Sequence, residues 1–317
     1  MPRRCAVAFG GPTACGKSAA ALAAAKEFGA RGPGAVVINA DSMQVYRELA
    51  ILTARPDAAA MAAVPHRLYG VLSAGDACSA GRWRAMALAE IDAALAAGKL
   101  PILAGGTGLY LEVLRNGLAP VPPIPADIRA QAQAHMAAED GPALHARLAR
   151  IDPAAAAALR PGDRQRIARA WQVMTATGRS ILDWQRDAGQ AEDAPELATF
   201  LFLPERSALY AACDRRFAQM IEAGAVEEVE SMLALGLDPG LPAMKAVGVR
   251  EIAAYLRGEI GRAEMIARGQ RATRQYAKRQ YTWFRHRVPA LRVFDEQYSE
   301  RLDRDIFTNI RESRLTL

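Results

Sequence analysis

This chain predicts an α/β fold: a parallel sheet with helices on its faces, broken by an all-helical insertion. Three observations carry that expectation. Short apolar runs alternate with helical patterns through the first third. A glycine-rich loop joins the first run to the first helix. A proline-dense segment, Pro120 to Pro125, then breaks the alternation and opens a long Ala-rich stretch.

Taken in order, Cys5 to Phe9, Ala35 to Ile38 and Leu100 to Ala104 are almost wholly apolar, as strands buried on both faces must be. Lys17 to Phe28 and Arg82 to Ala97 predict the helices between them. Proline lacks an amide donor and fixes φ, so Pro120 to Pro125 is neither helix interior nor central strand. Helical sequence follows to about Gly189, and Thr199 to Leu203 predicts one more buried strand. The expected domains are therefore a core of residues 1–115 and 205–317 and an insertion of 116–204. Past Leu203 the pattern is helical to about Val288, followed by a polar tail with no readable signal beyond Arg292.

At 317 residues the chain is long enough for a sizeable core. Charged residues interrupt every apolar run before it reaches a membrane span. The N-terminal arginines and short apolar run lead into a glycine-rich motif, not a cleavage site, and predict a strand rather than a secretory signal. Cys5, Cys15, Cys78 and Cys213 are scattered, as are the four histidines. Reduced thiols, no His/Cys metal site, and a cytoplasmic, monomeric protein are the simple expectation. The net charge of +6 permits a nucleic-acid partner. Between Glu264 and Asp295 no acid intervenes, while Arg268, Arg271, Arg274, Lys278, Arg279, Arg285, Arg287 and Arg292 do.

Gly11-Pro12-Thr13-Ala14-Cys15-Gly16-Lys17-Ser18 matches G-x-x-x-x-G-K-[ST] between a strand and a helix. Glycines let backbone amides turn toward phosphate oxygens, and the new helix adds its positive end. Lys17 supplies a full charge, and the Ser18 hydroxyl can ligate Mg²⁺. The core is thus P-loop NTPase-like. The motif implies a di- or triphosphate, ATP included, but leaves the reaction open. Asp41, at the tip of the second strand, should face the same crevice, because ligands sit beyond the carboxyl ends of parallel strands. It can serve as a helix cap, a ligand to a water on Mg²⁺, or a general base. Thr107 follows the Leu100 to Ala104 strand and should reach the crevice too, unless it is only a turn residue between glycines.

The P-loop paired with Asp41-Ser42-Met43-Gln44-Val45-Tyr46 resembles the tRNA dimethylallyltransferases, or tRNA isopentenyltransferases. Their patterns are G-P-T-A-S-G-K-[ST] and D-S-[RM]-Q-[VI]-Y. The likeness runs collinearly through Thr53 to Pro56, Val64 to His66, Cys78 to Ala80, Gly105 to Tyr110, Asp163 to Ala170, Thr177-Gly178, Val247 to Glu251 and Thr273 to Phe284. It implies transfer of a dimethylallyl group from dimethylallyl diphosphate to the N6 amine of the adenosine 3′ of the anticodon in tRNA. Asp41 is then the base, with Thr107, Lys17 and Arg216 at the reacting groups and Mg²⁺ on Ser18. Gly11 to Ser18 hold the diphosphate. The donor would enter between the P-loop and the Thr107 turn, with RNA arriving from the other side. The target base must leave its stack to react.

Contacts to the tRNA anticodon stem-loop are implied for Asp41, Ser42, Met43, Gln44, Thr107, Arg129, Gln165, Arg166, Arg169, Lys245, Arg250, Arg274, Lys278 and Arg279. Helical spacing supports part of this. It puts Arg271, Arg274, Lys278 and Arg285 on one stripe, beside an apolar stripe of Ala277, Tyr281, Phe284 and Val288 that can dock on the core. Trp283 and Phe284 suit core packing better than base stacking. The chain departs from the family pattern at Cys15, Leu52, Trp83, Ala212 and Val249. On the residues alone, two other classes stay open. One is a small-molecule kinase with ATP on Lys17 and a hydroxyl activated by Asp41; the other is a non-catalytic RNA-binding module.

Overall fold

The protein is described from a computed structural model covering residues 4–32, 34–187 and 191–313. It forms two compact units: Met1–Arg115 with Asp193–Leu317, and Asn116–Glu192.

The first unit holds β1 (Cys5–Gly10), β2 (Ala35–Asn39), β3 (His66–Arg67), β4 (Leu100–Gly105), β5 (Glu196–Phe202) and β6 (Arg292–Phe294). All pair in parallel, in the order β3-β2-β4-β1-β5-β6. Successive residues of a strand point to opposite faces, so the sheet feeds two cores. Ala6, Ala8, Ile38 and Leu103 enter one. Val7, Phe9, Val37 and Ile102 enter the other. Helix α1 (Lys17–Arg31) lays a small-residue face, Ala20, Ala21, Ala24 and Ala25, on the second core. The short α2 (Ala58–Ala63) precedes β3, and α3 (Ala80–Ala96) covers the first core with Trp83, Ala87 and Ile91. Helix α4 (Gly108–Asn116) follows β4.

The second unit contains α5 (Ala126–Ala138), α6 (Gly141–Ile151), α7 (Pro153–Ala158), α8 (Arg164–Thr177) and α9 (Ile181–Arg186). Asp140, Asp152 and Ser180 accept backbone amides as N-caps of α6, α7 and α9. These helices have a core of their own around Leu144, Leu148, Ile167 and Trp171.

After β5 the first unit resumes with α10 (Arg206–Glu222), α11 (Ala225–Leu233), α12 (Val249–Leu256) and the long α13 (Arg262–Arg287), then β6 and α14 (Asp303–Glu312). The helical insertion therefore ends at Glu192 and not at residue 204. The strand begins at Glu196, ahead of the apolar run, because Glu196 and Leu197 already pair with Cys5 and Ala6. The expected helix end near Gly189 lies outside the described residues. The tail beyond Arg292 is structured: β6 extends the sheet, and Ile306 and Ile310 of α14 are buried against α1. Among the described residues no helix is long and apolar enough to cross a membrane.

Candidate active site

Strand register brings three loops together. Gly10 pairs with Gly105, and Asn39 with Ala104. The P-loop after β1, the turn after β4 and the Asp41 turn after β2 therefore lie side by side at the carboxyl edge of the sheet. In the P-loop, Gly11 and Gly16 take φ of 149° and 90°, and Ala14 is left-handed at 64°. Gly16 is the last residue before α1, so the amides that follow begin the helix N-terminus. Cys15 is fully buried beneath the loop. Lys17 is also buried, and its Nζ donates to the Pro12 carbonyl at 3.2 Å. Ser18 is exposed, and its hydroxyl has no hydrogen-bond partner among the described residues.

The β2 and β4 tips are stitched to each other. A Cβ on Gly105 would fall 2.0 Å from the Ala40 carbonyl, so only glycine permits this approach. The Thr107 amide donates to Ala40 O at 3.2 Å. The Thr107 hydroxyl oxygen accepts the Ser42 amide at 2.9 Å and donates to the Ser42 hydroxyl at 3.2 Å. Asp41 Oδ1 accepts the Met43 amide at 2.9 Å, which caps a turn rather than a helix. That leaves Oδ2 for other chemistry. The Asp41 amide in turn donates to Asn39 Oδ1 at 2.8 Å, and Trp83 Nε1 donates to Asn39 O at 2.9 Å.

These tips open on a cavity of about 230 Å³. Thr13, Asp41, Ser42 and Met43 line one side. Arg216, Phe217 and Met220 come from α10, and Thr273, Tyr276 and Arg279 from α13. Those two helices approach closely because Gly269 faces Phe217; a Cβ there would sit 2.0 Å from Phe217 Cζ. Leu52, Thr53, Lys245, Ala246 and Val247 complete the lining. Arg216 reaches Thr13 Oγ1 at 3.5 Å and has no carboxylate in ion-pair contact among the described residues. Burial lowers its pKa, opposed by the nearby Cys15, Asp41 and Cys213. Burial pushes the Tyr276 phenol well above its ordinary range, and the Asp41 charge adds to this; hydrogen bonding to Thr107 and Gln280 opposes it. Among the described residues that line the cavity, Asp41 is thus the single acid, beside Arg216, Lys245 and Arg279. An anion is the ligand such a charge balance accepts, and a proton acceptor stands next to it.

The IPP transferase family model matches residues 44–287. The chain belongs to this family. It is 56% identical over 289 residues to the tRNA dimethylallyltransferase of Rhodospirillum centenum, covering 90% of each chain. Against that of Paramagnetospirillum magneticum it is 50% identical over 311 residues, 98% of this chain and 97% of the other. The full-length tRNA isopentenylpyrophosphate transferase of Bacillus halodurans superposes with a TM-score of 0.70 at 31% identity, covering 98% of this chain and 96% of the other.

In this IPP transferase Thr13 and the expected site residues beyond the P-loop stand at different distances from the cavity. Thr13, Asp41, Ser42, Met43, Arg216, Lys245 and Arg279 come together in the cavity. Thr107 stands one layer behind, holding Ser42. Gln44 is buried, and its Nε2 donates to Thr53 O at 2.9 Å and Ala54 O at 3.1 Å, which shapes the cavity wall rather than offering an amide to a base. On α13, Lys278 is exposed, whereas Arg274 is ion-paired with Asp214 at 2.5 Å. Arg250 is exposed on α12, away from the cavity lining. In the insertion, Gln165, Arg166 and Arg169 share an exposed face of α8, while Arg129 donates to Ile124 O at 2.7 Å. The apolar stripe of α13 docks as expected, with Ala277 and Phe284 fully buried.

Three contributors had no place in the sequence reading. Gln280 is buried on α13, bonded to Thr13 and Gly106. Its sign was a polar residue within the buried stripe of Ala277 and Phe284. Tyr276 lines the cavity. Glu228 of α11 accepts the amides of Ala50, Ile51 and Leu52 at 2.6, 2.8 and 2.8 Å and so holds the loop that carries Leu52 into the cavity. No local pattern announces that contact.

Proposed function

We propose that this protein moves the dimethylallyl group of dimethylallyl diphosphate onto the N6 amine of the adenosine 3′ of the anticodon in tRNA, releasing diphosphate. The observation that supports this best is the cavity shared by Asp41, the P-loop residue Thr13 and Arg216, which has no carboxylate in ion-pair contact among the described residues. The amine nitrogen attacks the allylic carbon. The carbon–oxygen bond breaks, and its electron pair leaves with the diphosphate. An N–H proton passes to Asp41 Oδ2. An exocyclic amine is a poor nucleophile because its lone pair is spread into the ring, so a positioned base matters; such help is typically worth about 10²–10⁴-fold. The P-loop amides, Lys17 and Arg216 stabilise charge as it builds on the leaving group.

Mg²⁺ fits this site as a companion of the diphosphate rather than as a caged ion. Among the described residues no group of three or more His, Cys, Asp or Glu is placed to hold a metal. Ser18 offers one free hydroxyl at the start of α1. Mg²⁺ commonly takes one or two protein ligands plus phosphate oxygens and water. When bound it would neutralise leaving-group charge beside Ser18. EDTA is then expected to abolish transfer, and added Mg²⁺ to restore it.

For RNA, the exposed residues Lys278 on α13 and Gln165, Arg166 and Arg169 on α8 supply phosphate-binding cations and an amide. We take the protein to act on the anticodon stem-loop as a monomer in the cytoplasm. The test is tRNA incubated with labelled dimethylallyl diphosphate. Label should appear as N6-prenylated adenosine, and Asp41→Asn should cut transfer by about 10²–10⁴-fold while leaving tRNA binding within a few-fold of wild type. ATP turnover with no label on tRNA would overturn the assignment.

A further inference from the structure

We propose that Gln280 is a positioning residue, whose side-chain amide acts as a strut fixing the diphosphate cradle against the β4 turn, on which the turn of the catalytic acid rests. The inference rests on the prenyl-transfer function proposed above. Gln280 is 6% exposed, and both ends of its amide are used. Oε1 accepts the Thr13 amide of the P-loop at 2.8 Å, and Nε2 donates to the Gly106 carbonyl at 2.7 Å. Gly106 is the residue before Thr107, which holds Ser42, and it packs on Asp41. A Cβ on Gly106 would fall 2.3 Å from Gln280 Nε2 and 3.3 Å from Asp41 Oδ2. The amide thus joins the β1 tip to the β4 tip, and the β4 tip in turn holds the Asp41 turn through Thr107 and Ser42, so this chain of contacts sets the distance from donor carbon to acceptor nitrogen. It also uses the Thr13 amide that would otherwise be one more donor for phosphate. Gln280 touches neither reactant in this arrangement; it acts through the two loops it joins.

Displacement transfer needs the reacting atoms about 3–3.5 Å apart, and a misplacement of about 1 Å costs on the order of 10²-fold. Gln280→Leu removes both bonds at similar volume. Single-turnover transfer to tRNA should fall by roughly 10²-fold, with the KM for dimethylallyl diphosphate changed by far less. Gln280→Glu is the chemical control. An ionised carboxylate still accepts from Thr13 but repels the Gly106 carbonyl; a protonated one restores both bonds. Its rate relative to wild type should therefore rise as the pH is lowered, while the relative rate of Gln280→Leu stays flat. Asp41 from the β2 turn, Tyr276 one turn back on α13, and Lys17 and Arg216 beside the P-loop face this region in wild type and in Gln280→Leu as well, so the flat ratio of Gln280→Leu is the baseline for them. A merely structural glutamine would lower the melting temperature of both variants without a pH-dependent ratio, and that result overturns the proposal, as does wild-type kcat in Gln280→Leu. Wild-type protein that prenylates no tRNA would instead overturn the underlying function, and the strut with it.

Discussion

The carboxylate of Asp41 divides its two oxygens between structure and chemistry, since Oδ1 accepts the Met43 amide and Oδ2 has no hydrogen-bond partner among the described residues. Asp41→Asn keeps an acceptor for Met43 but cannot take a proton. Single-turnover transfer should fall by about 10²–10⁴-fold, with the tRNA dissociation constant within a few-fold of wild type. Cys15 behaves differently, although it lies in the P-loop itself. Its thiol is fully buried beneath the loop, where burial pushes its pKa up, and the cradle above it is made of backbone amides. Cys15→Ser places a hydroxyl where a thiol packs, which should cost about 1–3 kcal/mol in urea denaturation while leaving kcat near wild type. At this scale the P-loop and Asp41 were legible because their chemistry follows from a local motif at a strand tip. Gln280 was not, since its two partners lie 267 and 174 residues away. Gln44 misleads differently: it looks free to read a base edge, yet its amide is spent on the carbonyls of Thr53 and Ala54 in the loop that follows it.

Among elements, β1, β2 and β4 were legible because strands buried on both faces must be apolar throughout. β3 and β6 are too short for any period to register. The element that supports the acid is α3. Its Trp83 stacks on Tyr110 of α4 with centroids 4.2 Å apart and donates to Asn39 at the end of β2. Trp83→Phe keeps the stacking and leaves Asn39 O without that donor. It should cost about 1–3 kcal/mol yet preserve transfer, since Trp83 does not line the cavity. Trp83→Ala should cost about 3–5 kcal/mol, and its melting temperature should fall well below that of the Phe variant. Equal losses for the two would mean that the ring adds nothing to what its N–H contributes at the β2 tip.

At the level of the whole molecule, the insertion was legible as a run of helices bounded by prolines, but its far edge was not. The residues that start β5 are polar or half-exposed, and only pairing with β1 reveals them as strand. Charge shows the same limit. Along the chain the Glu264 to Asp295 stretch looks uniformly basic, yet in the fold Asp214 of α10 pairs with Arg274, and Glu264 with Arg268. Arg271, Lys278 and Arg285 are exposed, with no carboxylate in ion-pair contact among the described residues. A cation that binds phosphate displaces counterions from RNA, so each contact adds about 0.7–0.9 to the slope of log K against log salt. If these three residues track the tRNA backbone, replacing all three with alanine should reduce that slope by roughly 2–3. Transfer at saturating tRNA should be little changed, because none of the three lines the cavity. Arg274→Ala is the internal contrast: its charge is already matched by Asp214, so the slope should barely move. Filter binding across a salt series distinguishes the two outcomes, and an unchanged slope in the triple variant would remove α13 from the RNA surface.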